Sequence, residues 1–269
     1  MTLAAERLEI AVAGRVLVHA LTFTARAGEL TCVLGENGAG KTLTLHTLAG
    51  LRAADGGSIT LAGRPLASWP RRERARRLGL LMQATEDPFP GTVLDAVLVG
   101  RHPYLDFWQW EGEADLDAAR AALAACDLAG FEPRALATLS GGERRRAALA
   151  AVLAQDPQVL LLDEPQNHLD PHHQLDVLKL LRARADAGGT VVATLHDPSL
   201  AARFADRVLL LYGSGGAVAS AAGSGVDGGA GRWLHGTTAE VLTAATLSGI
   251  YRLPMREFVV EGRRLFVSD

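Results

Sequence analysis

Apolar residues in this chain come as short unbroken runs separated by longer stretches of helical spacing. Residues 30–34 are one such run; it ends at a glycine-rich segment, after which residues 42–51 carry apolar side chains at intervals of three and four. This predicts strand, loop, helix. Residues 78–83, 159–162, 190–194 and 208–211 predict four more strands, with a helix over about 172–187. Buried strands alternating with helices indicate a parallel sheet covered on both faces, because each crossover lays a helix against the sheet. Residues 8–23 are apolar but broken at Ala13-Gly14-Arg15, which predicts an antiparallel hairpin ahead of that sheet. Between 93 and 153 the pattern is rich in alanine and leucine and helical over 115–126 and 142–154. The fold class expected is α/β: a parallel-sheet core with an N-terminal antiparallel β part and an inserted helical subdomain.

Residues 213–231 hold eight glycines and almost no large apolar side chain, which predicts a flexible loop without a site of its own. The tail that follows predicts a helix near 239–251 and a hairpin turning at Gly262. One domain is therefore expected over 1–269. Its core comes from 1–84 and 156–212, the helical subdomain is 85–155, the loop is 213–231 and the tail is 232–269.

Composition narrows the classes of function. With 48% hydrophobic and 21% charged residues the chain reads as globular, and no run approaches the roughly 18 apolar residues needed to span a bilayer. The first residues show no basic start followed by an apolar run, so no secretory signal is expected and a cytosolic location is. A net charge of −3 argues against a general nucleic-acid surface, so no nucleic-acid partner is expected. Arg71, Arg72, Arg74, Arg76 and Arg77 spread around a helix and read as a solvated face. Cys32 and Cys126 read as small core residues, and His168, His172 and His173 as surface residues with no metal-ligand spacing around them.

The chemistry begins at Gly35, Glu36, Asn37, Gly38, Ala39, Gly40, Lys41 and Thr42, which fit G-x-x-x-x-G-K-[ST] between a predicted strand and a predicted helix. Glycines let backbone N–H groups turn toward phosphates, the helix adds its positive end, Lys41 reaches the β and γ phosphates, and the Thr42 hydroxyl can ligate Mg²⁺. Val159–Leu162 then runs into Asp163 and Glu164. A buried strand ending in two acids sets Asp163 to support the Mg²⁺ shell and Glu164 to take a proton from attacking water. The cofactors expected are Mg²⁺ and ATP.

Leu139-Ser140-Gly141-Gly142-Glu143 lies about twenty residues before those acids. With the phosphate loop and the acidic pair in this order, the chain resembles the nucleotide-binding subunit of an ATP-binding-cassette transporter over roughly residues 8–212. The resemblance implies a P-loop NTPase core of the RecA-like kind. It implies that Ser140, Gly141, Gly142 and Glu143 meet the nucleotide of a second subunit, and that Leu169 and Asp170 line the dimer seam. It also implies that Gln83 touches Mg²⁺ and water, and that His196 senses the γ-phosphate. Implied partners are a second copy of the chain, two integral membrane permease subunits and, indirectly, a substrate-binding protein. The implied place is the cytoplasmic face of the plasma membrane, held there through the permease.

Two positions depart from the family pattern. The aromatic ring that usually stacks on adenine is missing where Val12 or Ala13 stands, and Leu43 replaces a common second hydroxyl beside Thr42. Among transporters the likeness is greatest to importers of cobalamin, ferric siderophores and haem, through Glu143, residues 172–178 and residues 195–207. The tail over 240–265 resembles the cobalamin importer's ATPase and puts cobalamin first, with ferric siderophore or haem as alternatives. Residues 164–170 are also similar to translation-associated cassette ATPases, which usually carry two cassettes in a chain; 269 residues hold one. The loop over 86–91 and nearby parts of the helical insert are expected to dock a membrane subunit.

Overall fold

The computed structural model describes residues 1–83, 90–213, 224–225 and 231–268. Most of the loop expected to dock a membrane subunit and most of the glycine-rich segment lie outside them. Strand β1 (Leu3–Val12) pairs antiparallel with β2 (Arg15–Ala25) across Ala13 and Gly14, whose φ values of 49° and 79° are the mirror-image turn that matches strand twist. β3 (Leu30–Gly35) leads through the phosphate loop into helix α1 (Lys41–Leu48). β4 (Gly56–Leu61) and β5 (Arg64–Pro65) complete an N-terminal sheet of order β2-β1-β4-β5. The sequence pattern did not predict β4, because Gly56-Gly57-Ser58 reads as a turn; Gly57 instead faces a bulge in β1, where Arg7 and Leu8 stand opposite this one residue.

After α2 (Arg71–Ala75) and β6 (Leu78–Leu81) comes the helical insert: α3 (Val93–Leu98), a 3-10 segment (Val99–Tyr104), α4 (Glu113–Ala125) and α5 (Gly141–Ala154). The chain then returns through β7 (Val159–Leu162), α6 (Pro171–Asp186), β8 (Thr190–Thr194), α7 (Pro198–Phe204) and β9 (Arg207–Leu211). Strands β9-β3-β8-β7-β6 are parallel, as expected. An antiparallel edge is added to them by β10 (Ser224–Gly225) and β11 (Trp233–Thr237). The tail holds α8 (Thr238–Val241), α9 (Ala244–Tyr251) and the hairpin β12 (Met255–Val260) and β13 (Arg263–Ser268). Thr243 caps the first turn of α9 through its hydroxyl, which divides the single helix expected over 239–251.

Every residue of β3 is buried, and its two faces enter different cores. Leu30, Cys32 and Leu34 pack toward the helices, and Val33 packs toward α1 and the N-terminal sheet. Cys32 and Cys126 are both buried free thiols, and burial pushes both thiol pKa values up, that of Cys126 to about 12.

The arginine run is exposed at Arg71, Arg72 and Arg76, as a solvated face requires, and two of these side chains also make bonds. Arg72 and Arg76 donate to the Pro103 carbonyl, at 2.8 and 2.7 Å, and Arg77 lies over Trp69 at 4.7 Å. Arg72 and Arg76 tie α2 to the end of the 3-10 segment, whose carbonyls have no helical partner beyond Tyr104. Arg101 adds a second tie, bonding Asp115 at 2.9 Å and the Ala154 carbonyl at 2.8 Å.

Candidate nucleotide site

Gly35 ends β3 with φ 153°, and a Cβ there would stand 2.3 Å from the Leu211 carbonyl oxygen, so only glycine fits. Gly38 and Gly40 turn with φ 79° and 96°, and α1 begins at Lys41. Lys41 is buried and donates to the carbonyls of Gly35 at 2.7 Å and Glu36 at 3.1 Å, so the ammonium is held inside its own loop. Burial pushes its pKa down, while the charges of Glu164 and Asp163 oppose that shift. Thr42, in the first turn of α1, lines the cleft. The hydroxyl missing at Leu43 is not supplied by Thr44, whose own hydroxyl turns back to the Gly40 carbonyl at 2.9 Å.

β7 delivers the acids. Asp163 is fully buried; its Oδ1 accepts from the Thr194 hydroxyl at 2.7 Å, and its Oδ2 is buried with no partner. An orphaned carboxylate oxygen costs stability unless something occupies it. Thr42 and Gln83 line the cleft, and a hydroxyl, an amide oxygen and this carboxylate are the hard oxygen donors that suit Mg²⁺. Glu164 takes a left-handed φ of 49°, with its N–H donating to Thr194 Oγ1 at 2.7 Å. Its Oε2 accepts from Gln83 at 2.8 Å and from Asn167, and its Oε1 meets His196 Nε2 at 2.7 Å. Lys41, Thr42, Gln83, Glu164 and His196 thus border one open cleft of about 490 Å³. Leu17 and Leu43 are its apolar lining, whereas Val12, at the position expected for an adenine platform, lies outside the lining and about half exposed.

The remaining predicted residues form a separate group. Ser140 is the N-cap of α5: its hydroxyl accepts from the Glu143 N–H at 3.2 Å, and the Glu143 carboxylate accepts from the Ser140 N–H at 2.7 Å. These bonds hold the Glu143 carboxyl below its usual range, with a contribution from Arg134 at 3.2 Å. Glu143, expected among the residues that meet the nucleotide of a second subunit, directs its carboxylate to the Ser140 N–H and to Arg134. Gly142 approaches the His168–Leu169 turn, where a Cβ would stand 3.1 Å from the His168 carbonyl. Asp170 caps α6 and bonds His173 at 2.8 Å, and His172 pairs with Asp176 at 2.8 Å. Among the described residues no cluster of three His, Cys, Asp or Glu side chains could hold a metal ion.

Sequence reasoning missed Arg145, Asn167, Thr194 and Leu17. Thr194 ends a predicted strand and Asn167 follows Glu164 by three, so position offered a weak signal for both. Nothing local distinguished Arg145 from Arg144 and Arg146.

A family model described as ABC transporter matches residues 18–167. The hemin import ATP-binding protein HmuV of Streptomyces coelicolor is 40% identical, over 95% of this chain and 85% of its own length. The protein of the same name from Thermobifida fusca is 37% identical, over 93% and 82%. A solved chain described as part of an inward-facing ABC transporter of the metal-chelate type superposes with a TM-score of 0.81 at 27% identity, covering 100% of this chain and 97% of that one. The cbiO1 subunit of Clostridium perfringens, from the transporter complex cbiONQ, shares the fold with a TM-score of 0.71 at 24% identity, over 91% and 92%.

Proposed function

Because the chain belongs to the ABC transporter family, we propose that it is the ATP-hydrolysing subunit of a metal-chelate importer, with a haem-type chelate as cargo. One observation carries the hydrolytic part. Lys41, Thr42, Gln83, Glu164 and His196 border a single cleft, Asp163 precedes Glu164 and shares the Thr194 hydroxyl with it, and Ser140 to Gly142 stand apart on the start of α5. Half of a site is built in one chain, and the outlying Ser140 suits the nucleotide of a second copy.

In this mechanism ATP enters the cleft and Lys41 exchanges its two loop carbonyls for phosphate oxygens. Thr42, Gln83 and Asp163 are the residues that would hold Mg²⁺, which would supply neutralisation of phosphate charge. Glu164, freed from one of its amide donors, takes the proton of the attacking water, and His196 faces the γ-phosphate from the opposite wall. The Ser140 hydroxyl donates outward to the second copy's nucleotide while still accepting the Glu143 N–H. Closure of two copies over two ATP molecules then drives a permease between two conformations, through its different affinity for each.

Phe107, Trp108 and Trp110 project from the helical insert at 88, 87 and 86% exposure, and aromatic side chains this free are the chemistry of a protein interface. They support a membrane permease as partner, with a substrate-binding protein acting beyond it. No helix among the described residues is long and apolar enough to cross a membrane, which suits attachment to the membrane through that permease. For the cargo, likeness to hemin importers over most of the chain outweighs the short tail that had put cobalamin first.

Glu164→Gln tests the shared site. The variant is expected to bind MgATP, lose hydrolysis and sediment as a dimer, because the closed state is no longer spent; a monomer at saturating MgATP that still hydrolyses would falsify the reading. Cargo is tested by reconstitution with the permease and its binding protein, where haem should stimulate ATP hydrolysis more than cobalamin or a ferric siderophore.

A further inference from the structure

We infer that Arg145 is a positioning residue that joins the helix bearing Ser140 to the general base Glu164, so that engagement of Ser140 by a second copy's nucleotide sets the geometry of the chain's own hydrolytic site. This rests on the shared-site reading above. Arg145 is only 4% exposed and lies on α5, five residues beyond the N-cap Ser140, or about 7.5 Å along the helix. Its Nη1 donates to the Met82 carbonyl at 2.5 Å and the Gln83 carbonyl at 3.3 Å. Its Nη2 donates to the Glu164 carbonyl at 2.9 Å and to the Asp163 carbonyl. One guanidinium therefore holds the backbone where β6 and β7 end. Those two stretches carry the Gln83 and Glu164 side chains, which bond each other at 2.8 Å.

The neighbouring arginine behaves differently. Arg146 donates to Asp127 and to the Cys126 carbonyl, all within the helical insert, whereas Arg145 crosses from insert to core. No carboxylate bonds Arg145 among the described residues, so its fork is aimed wholly at main-chain oxygens. A planar, five-donor group can hold four carbonyls in one plane, which a lysine or a glutamine cannot. Ser140 and Arg145 share a rigid helix, so a shift of the cap moves the fork, and the fork moves the carbonyl of the base.

The test is a double-mutant cycle in steady-state ATP hydrolysis by the full chain, combined with nucleotide affinity from a fluorescent ATP analogue. Arg145→Gln is expected to lower kcat by about tenfold or more, to change KM and analogue affinity less than about twofold, and to bring the Hill coefficient in ATP from near two down to near one. Arg145→Lys should recover part of kcat. Ser140→Ala should lower kcat as well, and the double variant should be no slower than the slower single one, because both act along one path. Wild-type kcat in Arg145→Gln, or losses that multiply in the double variant, overturns the inference alone. Unchanged kcat and Hill coefficient in Ser140→Ala removes the shared-site reading and the inference with it. Melting temperature separates these outcomes from simple unfolding; if Arg145→Gln does not fold, Arg145→Lys with Ser140→Ala completes the cycle.

Discussion

His235 on β11 packs edge to face against Phe23 at 5.2 Å, and its Nε2 accepts from Arg207 at 3.3 Å. Burial, then the charges of Arg207 and Arg26, push its pKa down from 6.5 to about 4. Between those values the unfolded chain binds a proton that the folded chain does not, so stability is full above pH 6.5 and falls as pH drops toward 4. Melting scans across that window should show a steeper decline for the wild type than for His235→Gln, which keeps an acceptor for Arg207 but does not titrate; parallel curves would count against this. The same scale shows why some site residues were legible and others were not. Lys41, Thr42, Asp163 and Glu164 carry fixed spacing to a glycine loop or a strand end. Arg145 and Asn167 acquire their roles from partners 18 or more residues away in one case, and from the left-handed turn at Glu164 in the other.

At the scale of elements, the strands of the parallel core were readable because both faces are buried and the apolar runs are unbroken. β4 and β11 were not, since β4 opens on Gly56-Gly57-Ser58 and β11 follows a glycine-rich segment, and each is a strand by virtue of the neighbour it pairs with, β1 or β9. The contact between the 3-10 segment and α5 is another feature set by packing. Gly100 lies so near α5 that a Cβ would stand 2.0 Å from the Ala151 carbonyl. Gly100→Ala is expected to cost about 1–3 kcal/mol by overpacking and to lower the melting temperature by several degrees. Gly112→Ala, where a Cβ meets nothing within 4 Å but the residue is the N-cap of α4, should cost less, about 0.5–1 kcal/mol from the poorer cap alone. Equal melting temperatures for the two variants would show that the insert yields at α5 instead of resisting.

For the whole molecule, the proposed function assigns hydrolysis and permease docking to different surfaces. Trp108→Ser with Trp110→Ser should leave the ATP hydrolysis of the isolated subunit unchanged while reducing its co-purification with the permease, because these side chains touch neither the cleft nor the core; intact assembly would remove them from the docking surface. The sequence by itself determined the parallel core, the phosphate loop, the acidic pair and the order of the motifs, since each depends on residue type at short spacing. Only the tertiary structure decided that Glu164 is bonded at once by Gln83, Asn167 and His196, that Asp163 keeps one oxygen without a partner, and that Arg145 bridges insert and core. Those are contacts between residues distant along the chain, and their geometry exists only after the sheet has brought the strand ends together.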